Sequence, residues 1–184
     1  FDPEDFKFAP EEKEDYFLFL GRVYEGKGVH IALQVTEAIG AKLIIAGQNS
    51  LKQMGIEKTP EHVIELGYAD VATRKRLMKN ARALIIATTY LEPFGGVVVE
   101  ALLSGTPIIT PHFGAFAEIQ NGKTGFLCHT LKDYVYAVKN ADLIDPAECR
   151  RRGLDYTLDA VAPQFEAWFS AIMDCYTGAG WEQL

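Results

Sequence analysis

Short apolar runs alternate with stretches of helical periodicity along most of the chain. Residues 16–20 (Tyr-Phe-Leu-Phe-Leu) form an apolar, aromatic run closed by Gly21, which has the length and composition of a buried strand. After a polar loop, Val29, Ala32, Leu33, Val35 and Ala38 fall at helical spacing and predict a helix over 29–39. Leu43-Ile-Ile-Ala-Gly47 reads as a second buried strand and residues 62–67 as a shorter third. Asp70 is placed to cap a helix over 71–81, whose apolar stripe is Leu77, Met78 and Ala81. Residues 84–87 read as a fourth strand. A helix over 95–103 follows and stops at Gly105. Residues 107–110 and 125–127 supply a fifth and a sixth strand. A last helix over 163–176 is apolar at Phe165, Trp168, Phe169, Ile172 and Tyr176. Strand and helix alternate throughout, so the expected fold is α/β, with a parallel sheet and right-handed crossovers.

Composition narrows the classes. The chain has 184 residues, of which 48% are hydrophobic, enough for one full core. No apolar run reaches the roughly 18 residues of a membrane-spanning helix. A net charge of −7 argues against a broad nucleic-acid surface, so an anionic ligand has to be held by a few local cations. Cys128, Cys149 and Cys175 are odd in number and lack metal-type spacing. They are expected to be reduced thiols in a cytoplasmic protein. Residues 1–15 are acidic and contain two prolines, as in a linker or arm. A first residue of Phe is what a fragment of a longer protein would show.

Two segments carry candidate chemistry. The first is Gly21-Arg-Val-Tyr-Glu-Gly26-Lys27-Gly28, which leaves the first strand and opens a helix. There Arg22 can grip two phosphate oxygens as a fork and Lys27 supplies a point charge. The spacing nearly matches a P-loop, but Gly28 replaces the Ser or Thr that would bind Mg²⁺. The fourth strand ends in Ala87-Thr88-Thr89 rather than in a metal-binding acid. Both departures argue against a P-loop NTPase, and the bland alternative is two surface cations beside a turn. The second segment is Glu92-Pro-Phe-Gly-Gly-Val-Val-Val-Glu100, which reads as a loop after a strand leading into a helix. Ligands of open α/β sheets bind in such crevices, and the first free amides of the helix suit an anion. Taken together, Arg22, Lys27, Glu92 and Glu100 suit a nucleoside diphosphate: cations for phosphates, helix amides for the distal phosphate, and a carboxylate for the ribose diol.

These stretches resemble a family. The GRVYEGKG loop, the EPFGGVVVE segment, the following ALLSGTPII, and the GAFAEI and NGKTGFL stretches are similar to retaining glycosyltransferases of family 4, which have the GT-B architecture. The likeness runs in register over about residues 16–127 and more loosely beyond. It implies that residues 16–184 are the Rossmann-like, donor-binding domain from the C-terminal half of a GT-B fold, ending in a crossover helix. Residues 1–15 would be the interdomain linker. By this resemblance Arg22 and Lys27 bind the donor's pyrophosphate and act in catalysis together with Glu92. Glu100 binds the ribose. Glu92 and the Phe94-Gly95-Gly96 backbone, followed by Val97, hold the transferred sugar. Transfer retains the anomeric configuration by front-face attack assisted by the leaving phosphate. The donor would be a UDP, GDP or ADP sugar, with no metal and no other cofactor. The N-terminal acceptor domain of such enzymes is missing here. Any peripheral membrane contact would come through that domain, and the last helix would have lost its partner.

Other residues stay open between roles. Tyr68 lies by the nucleotide base or is a half-exposed aromatic at a strand end. His30 and His112 contact ligand or are surface residues, while His62 and His129 are expected to be structural or on the surface. Glu118 serves the site or starts a helix. Two other functions compete: a nucleotide-sugar-binding module that works only with a separate acceptor subunit, and an interaction domain on a doubly wound scaffold.

Overall fold

The structure is a computed structural model that describes residues 1–175. Six strands, β1 (Phe17–Leu20), β2 (Leu43–Ala46), β3 (Val63–Gly67), β4 (Ala83–Ile85), β5 (Ile108–Pro111) and β6 (Gly125–Cys128), form one parallel sheet in the order β3-β2-β1-β4-β5-β6. Every strand expected from the sequence is present within one or two residues. Strands β1, β2 and β4 are apolar at every position, as suits strands covered on both faces. The edge strand β3 alternates instead, with Ile64 and Leu66 exposed.

Two helical layers cover the sheet. On one face α1 (Val29–Glu37) and α5 (Leu131–Asn140) pack over Phe17, Phe19, Leu43, Ile45 and Ile85. On the other, α2 (Val71–Asn80), α3 (Gly96–Leu103), the single turn α4 (Phe116–Ile119) and α6 (Pro146–Leu154) pack over Leu18, Ile44, Leu84 and Ile108. This is the Rossmann-like parallel sheet flanked by helices that the alternation of elements predicts. Asp70 caps α2 by accepting from the Thr73 amide at 2.8 Å. Gly105, at φ 70°, ends α3 in the left-handed region.

Two helices, α5 and α6, are absent from the sequence expectation, and α4 corresponds to the helix-start alternative for Glu118. The last helix also starts earlier than expected. Its observed span, α7, is Leu158–Cys175, with Pro163 inside it rather than at its start. Tyr176, assigned to that helix from sequence, lies outside the described residues. No residue of α7 is buried. Phe165, Trp168 and Phe169 are each more than half exposed, and they pack mainly on one another.

Residues 1–15 run along the α2, α3 and α6 side. Arg150 donates to the carbonyls of Pro3, Phe6 and Leu103. Ala9 is buried, and Lys13 reaches Thr106 Oγ1 at 2.6 Å. Burial pushes the Lys13 ammonium down to about 8.

One close approach ties the two halves of the sheet together. Gly28 caps α1 at φ 69°, and a Cβ there would lie 1.8 Å from the Ala87 carbonyl oxygen. The Ser or Thr of a P-loop has no room at this position. Gly28→Ala should therefore cost about 2 kcal/mol or more, from left-handed strain plus a forced backbone shift. Urea unfolding measures it, and a loss below about 0.5 kcal/mol, ordinary for a surface substitution, would contradict the packing described.

Candidate functional site

The chain leaves neighbouring strands β1 and β4 towards opposite faces, into α1 and α3 respectively. That reversal opens a crevice at the carboxyl ends of the strands, where ligands of open α/β sheets bind. A cleft of about 550 Å³ lies there, within the range of small-molecule sites. Its floor is formed by strand ends, including Leu20, Gly21, Ala46, Gly47 and Ile86. Thr88, almost wholly buried, also lines it, with a hydroxyl that has no hydrogen-bond partner among the described residues.

The walls carry most of the residues singled out from sequence: Arg22, Lys27, Tyr68, Glu92, Gly95, Gly96 and Val97. Arg22 is exposed and makes no ion pair among the described residues. Lys27 lies across from Glu92, Nζ to Oε2 2.7 Å. Tyr90, which the sequence reading did not single out, donates its hydroxyl to the same oxygen at 3.0 Å, and Lys27 sits over its ring at 5.0 Å. Partial burial pulls the Lys27 ammonium down, but its bonds to Glu92 and Tyr90 outweigh this and leave it above its ordinary value. Gly95, at φ 76°, precedes α3 and packs against the Phe116 ring, where a Cβ would come within 2.9 Å. The first amides of α3 thus start at the cleft, and first-turn amides have no intrahelical partner.

Two of the expected residues do not line the cleft. Phe94 has its ring against Phe1 and Tyr156, with centroids 6.3 and 5.9 Å away. Glu100 is held by Arg74, whose Nη2 meets Oε1 at 2.7 Å and Oε2 at 2.5 Å. Arg74 itself lines the cleft, so Glu100 stands one side chain behind the wall. Arg74 was missed because nothing in its spacing on α2 links it to α3. Tyr68 is largely exposed at the rim. None of the four histidines lines the cleft: His30 faces a neighbouring groove, His62 precedes β3, and His112 and His129 stack at 3.7 Å beyond β5 and β6. Glu118 is an exposed residue of α4 whose backbone carbonyl accepts from Arg152.

Fold and cleft together define a doubly wound α/β domain with a switch-point site of mixed charge. The chain belongs to the glycosyl transferases group 1 family, of GT-B type, which matches residues 1–152. It is 32% identical over 148 residues to glycogen synthase of Mycobacterium tuberculosis, covering 73% of this chain and 35% of that enzyme. It is also 32% identical over 121 residues to an uncharacterized glycosyltransferase of Methanocaldococcus jannaschii, covering 59% and 30%. The chain thus spans about a third of the length of these curated relatives. Among solved structures, AviGT4, a glycosyltransferase involved in avilamycin A biosynthesis, superposes with a TM-score of 0.81 at 23% identity, over 95% of this chain and 57% of that one. Anabaena Alr3699/HepE in complex with UDP and glucose gives 0.71 at 17% identity, over 93% and 55%. At such identities the superpositions speak to fold.

The Lys27–Glu92 pair can be tested by titration. Because the folded-state value of Lys27 is raised, the pair's stabilisation is present below the unfolded-state value and lost as pH rises through the folded one. Glu92→Gln removes the carboxylate and leaves burial, which lowers the value. NMR of the Lys27 ammonium should then show it deprotonating at lower pH in the variant. An unchanged titration would mean that the pair does not form.

Proposed function

We propose that this chain is the donor-binding half of a retaining glycosyltransferase of family 4. It takes a nucleoside-diphosphate sugar as donor and passes the sugar to an acceptor held by a second, N-terminal domain. The observation that carries this reading is the convergence of Arg22, Lys27, Glu92 and the start of α3 on one switch-point cleft. Arg22 and Lys27 neutralise the diphosphate, and the amides of Gly96 and Val97 meet the distal phosphate. Glu100 accepts from the ribose hydroxyls once the ligand displaces Arg74 from it, with Tyr68 beside the base. Glu92 and the backbone at Gly95 and Gly96 engage the transferred sugar. As the glycosidic bond to phosphate breaks, the same cations stabilise the charge that develops on the leaving diphosphate. The acceptor then attacks from the same face. Chemistry of this kind needs no divalent ion when Arg and Lys supply the counter-charge. The free cysteines, with Cys128 and Cys149 buried, support a reducing, cytoplasmic setting.

Calorimetry of the 184-residue chain with UDP, GDP and ADP tests the reading. One of the three should bind, binding should survive EDTA, and no sugar should be transferred in the absence of the second domain. Collapse of affinity on chelation, or measurable transfer by this chain, would overturn the corresponding part.

The two glutamates should separate. A hydrogen bond to a charged group is worth roughly 1.5–3 kcal/mol, or about ten- to 150-fold in affinity. Glu100→Ala should weaken bare nucleotide and nucleotide sugar alike by about that factor. Glu92→Ala should leave the bare nucleotide nearly unaffected. Equal losses on the bare nucleotide would refute this division of roles.

A further inference from the structure

We propose that Tyr90 is a positioning residue that keeps Glu92 aimed at the donor sugar once the diphosphate draws Lys27 away. The inference rests on the donor-binding reading above and adds a residue to it.

The geometry is asymmetric. Lys27 Nζ and Tyr90 Oη both bond Glu92 Oε2, at 2.7 and 3.0 Å. Among the described residues Oε1 has no partner, and the side chain is 17% exposed, in the cleft wall. One carboxylate oxygen is therefore tied to protein while the other is available to a ligand hydroxyl. The backbone of Glu92 is fixed as well, its carbonyl accepting from the Ala115 amide at 3.0 Å.

Lys27 cannot serve both partners equally. A diphosphate carries more negative charge than one carboxylate and offers more acceptor oxygens, so an arriving donor competes for the ammonium. If Lys27 turned to the phosphates with nothing else on Oε2, the Glu92 carboxylate would be free to rotate. Tyr90 prevents this. Its ring is half-buried against the Lys27 side of the cleft, and its hydroxyl keeps the bond to Oε2. Burial raises its pKa above that of an ordinary tyrosine, so at neutral pH it remains a hydrogen-bond donor. A Phe at this position would keep the ring beneath Lys27 and lose only that bond.

The test is a double-mutant cycle by calorimetry on the full 184-residue chain. The variants are Tyr90→Phe, Glu92→Ala and the double variant. The probes are UDP, GDP and ADP, with UDP-glucose, GDP-mannose and ADP-glucose. Tyr90→Phe should leave bare diphosphate binding within about twofold and weaken the matching nucleotide sugar about five- to tenfold, the effect of one hydrogen bond. On the Glu92→Ala background the same substitution should change nothing further. Equal loss for both probes, persistence of the loss without Glu92, or a wild-type chain that gains no affinity from any of the three sugars would each overturn the role. A wild-type chain that binds no nucleotide at all would overturn the donor-binding reading itself, and this role with it.

Discussion

The divergence of the chain after β1 and β4 is the constraint on which the rest depends. Two adjacent parallel strands send their helices to opposite faces, so no crossover covers the gap between their ends. The loops that border this gap must still be held at a fixed separation. Contact between the α1 cap at Gly28 and the carbonyl of Ala87 does so, reinforced by the Thr89 amide donating to Gly26 O at 3.0 Å. A side chain at Gly28 would part the loop that carries Arg22 and Lys27 from the one that carries Tyr90 and Glu92. The site is thus a consequence of topology first and of side-chain chemistry second.

Charge in the cleft is arranged in pairs rather than as a bare cationic patch. Lys27 faces Glu92 and Arg74 faces Glu100, which leaves Arg22 as the cation without an ion pair among the described residues of the cleft. Partly exposed pairs of this kind contribute little to stability. Their consequence is positional: each holds a carboxylate in place at or beside the cleft while keeping a cation available to a more highly charged ligand. In a chain of net charge −7, such pairing also limits repulsion between the acids and an incoming anion.

Most of the sheet was legible because central parallel strands need continuous apolar runs, and those runs are visible without any tertiary knowledge. Helix α5 was not read although Thr130 and Asp133 form a capping box. Its buried set is only Tyr134, Ala137 and Val138, too thin a stripe to stand out. Helix α6 buries only Cys149 and Gly153, and its signal lay instead in Asp145-Pro146, a cap followed by proline. Pro163 misled in the other direction: proline favours the first helical turn, but here it sits inside α7. Within the site, Arg22, Lys27 and Glu92 could be read because each lies in a loop of distinctive composition. Arg74 could not, because its partner Glu100 lies on another helix; Tyr90 lies two residues from Glu92, and only the fold brings Lys27 over its ring.

Residues 1–15 pack against the domain. They are acidic and proline-bearing, yet Phe8 lies against Gly105 and Ala9 is buried. The central claim, that the crevice between β1 and β4 receives the diphosphate end of a nucleotide donor, is tested most directly by amide NMR during titration with UDP, GDP and ADP. The account predicts that the largest shifts fall on Arg22 to Gly28 and on Gly95 to Val97, with β3 and the α7 surface unmoved. Shifts centred elsewhere, or none with any of the three nucleotides, would contradict it.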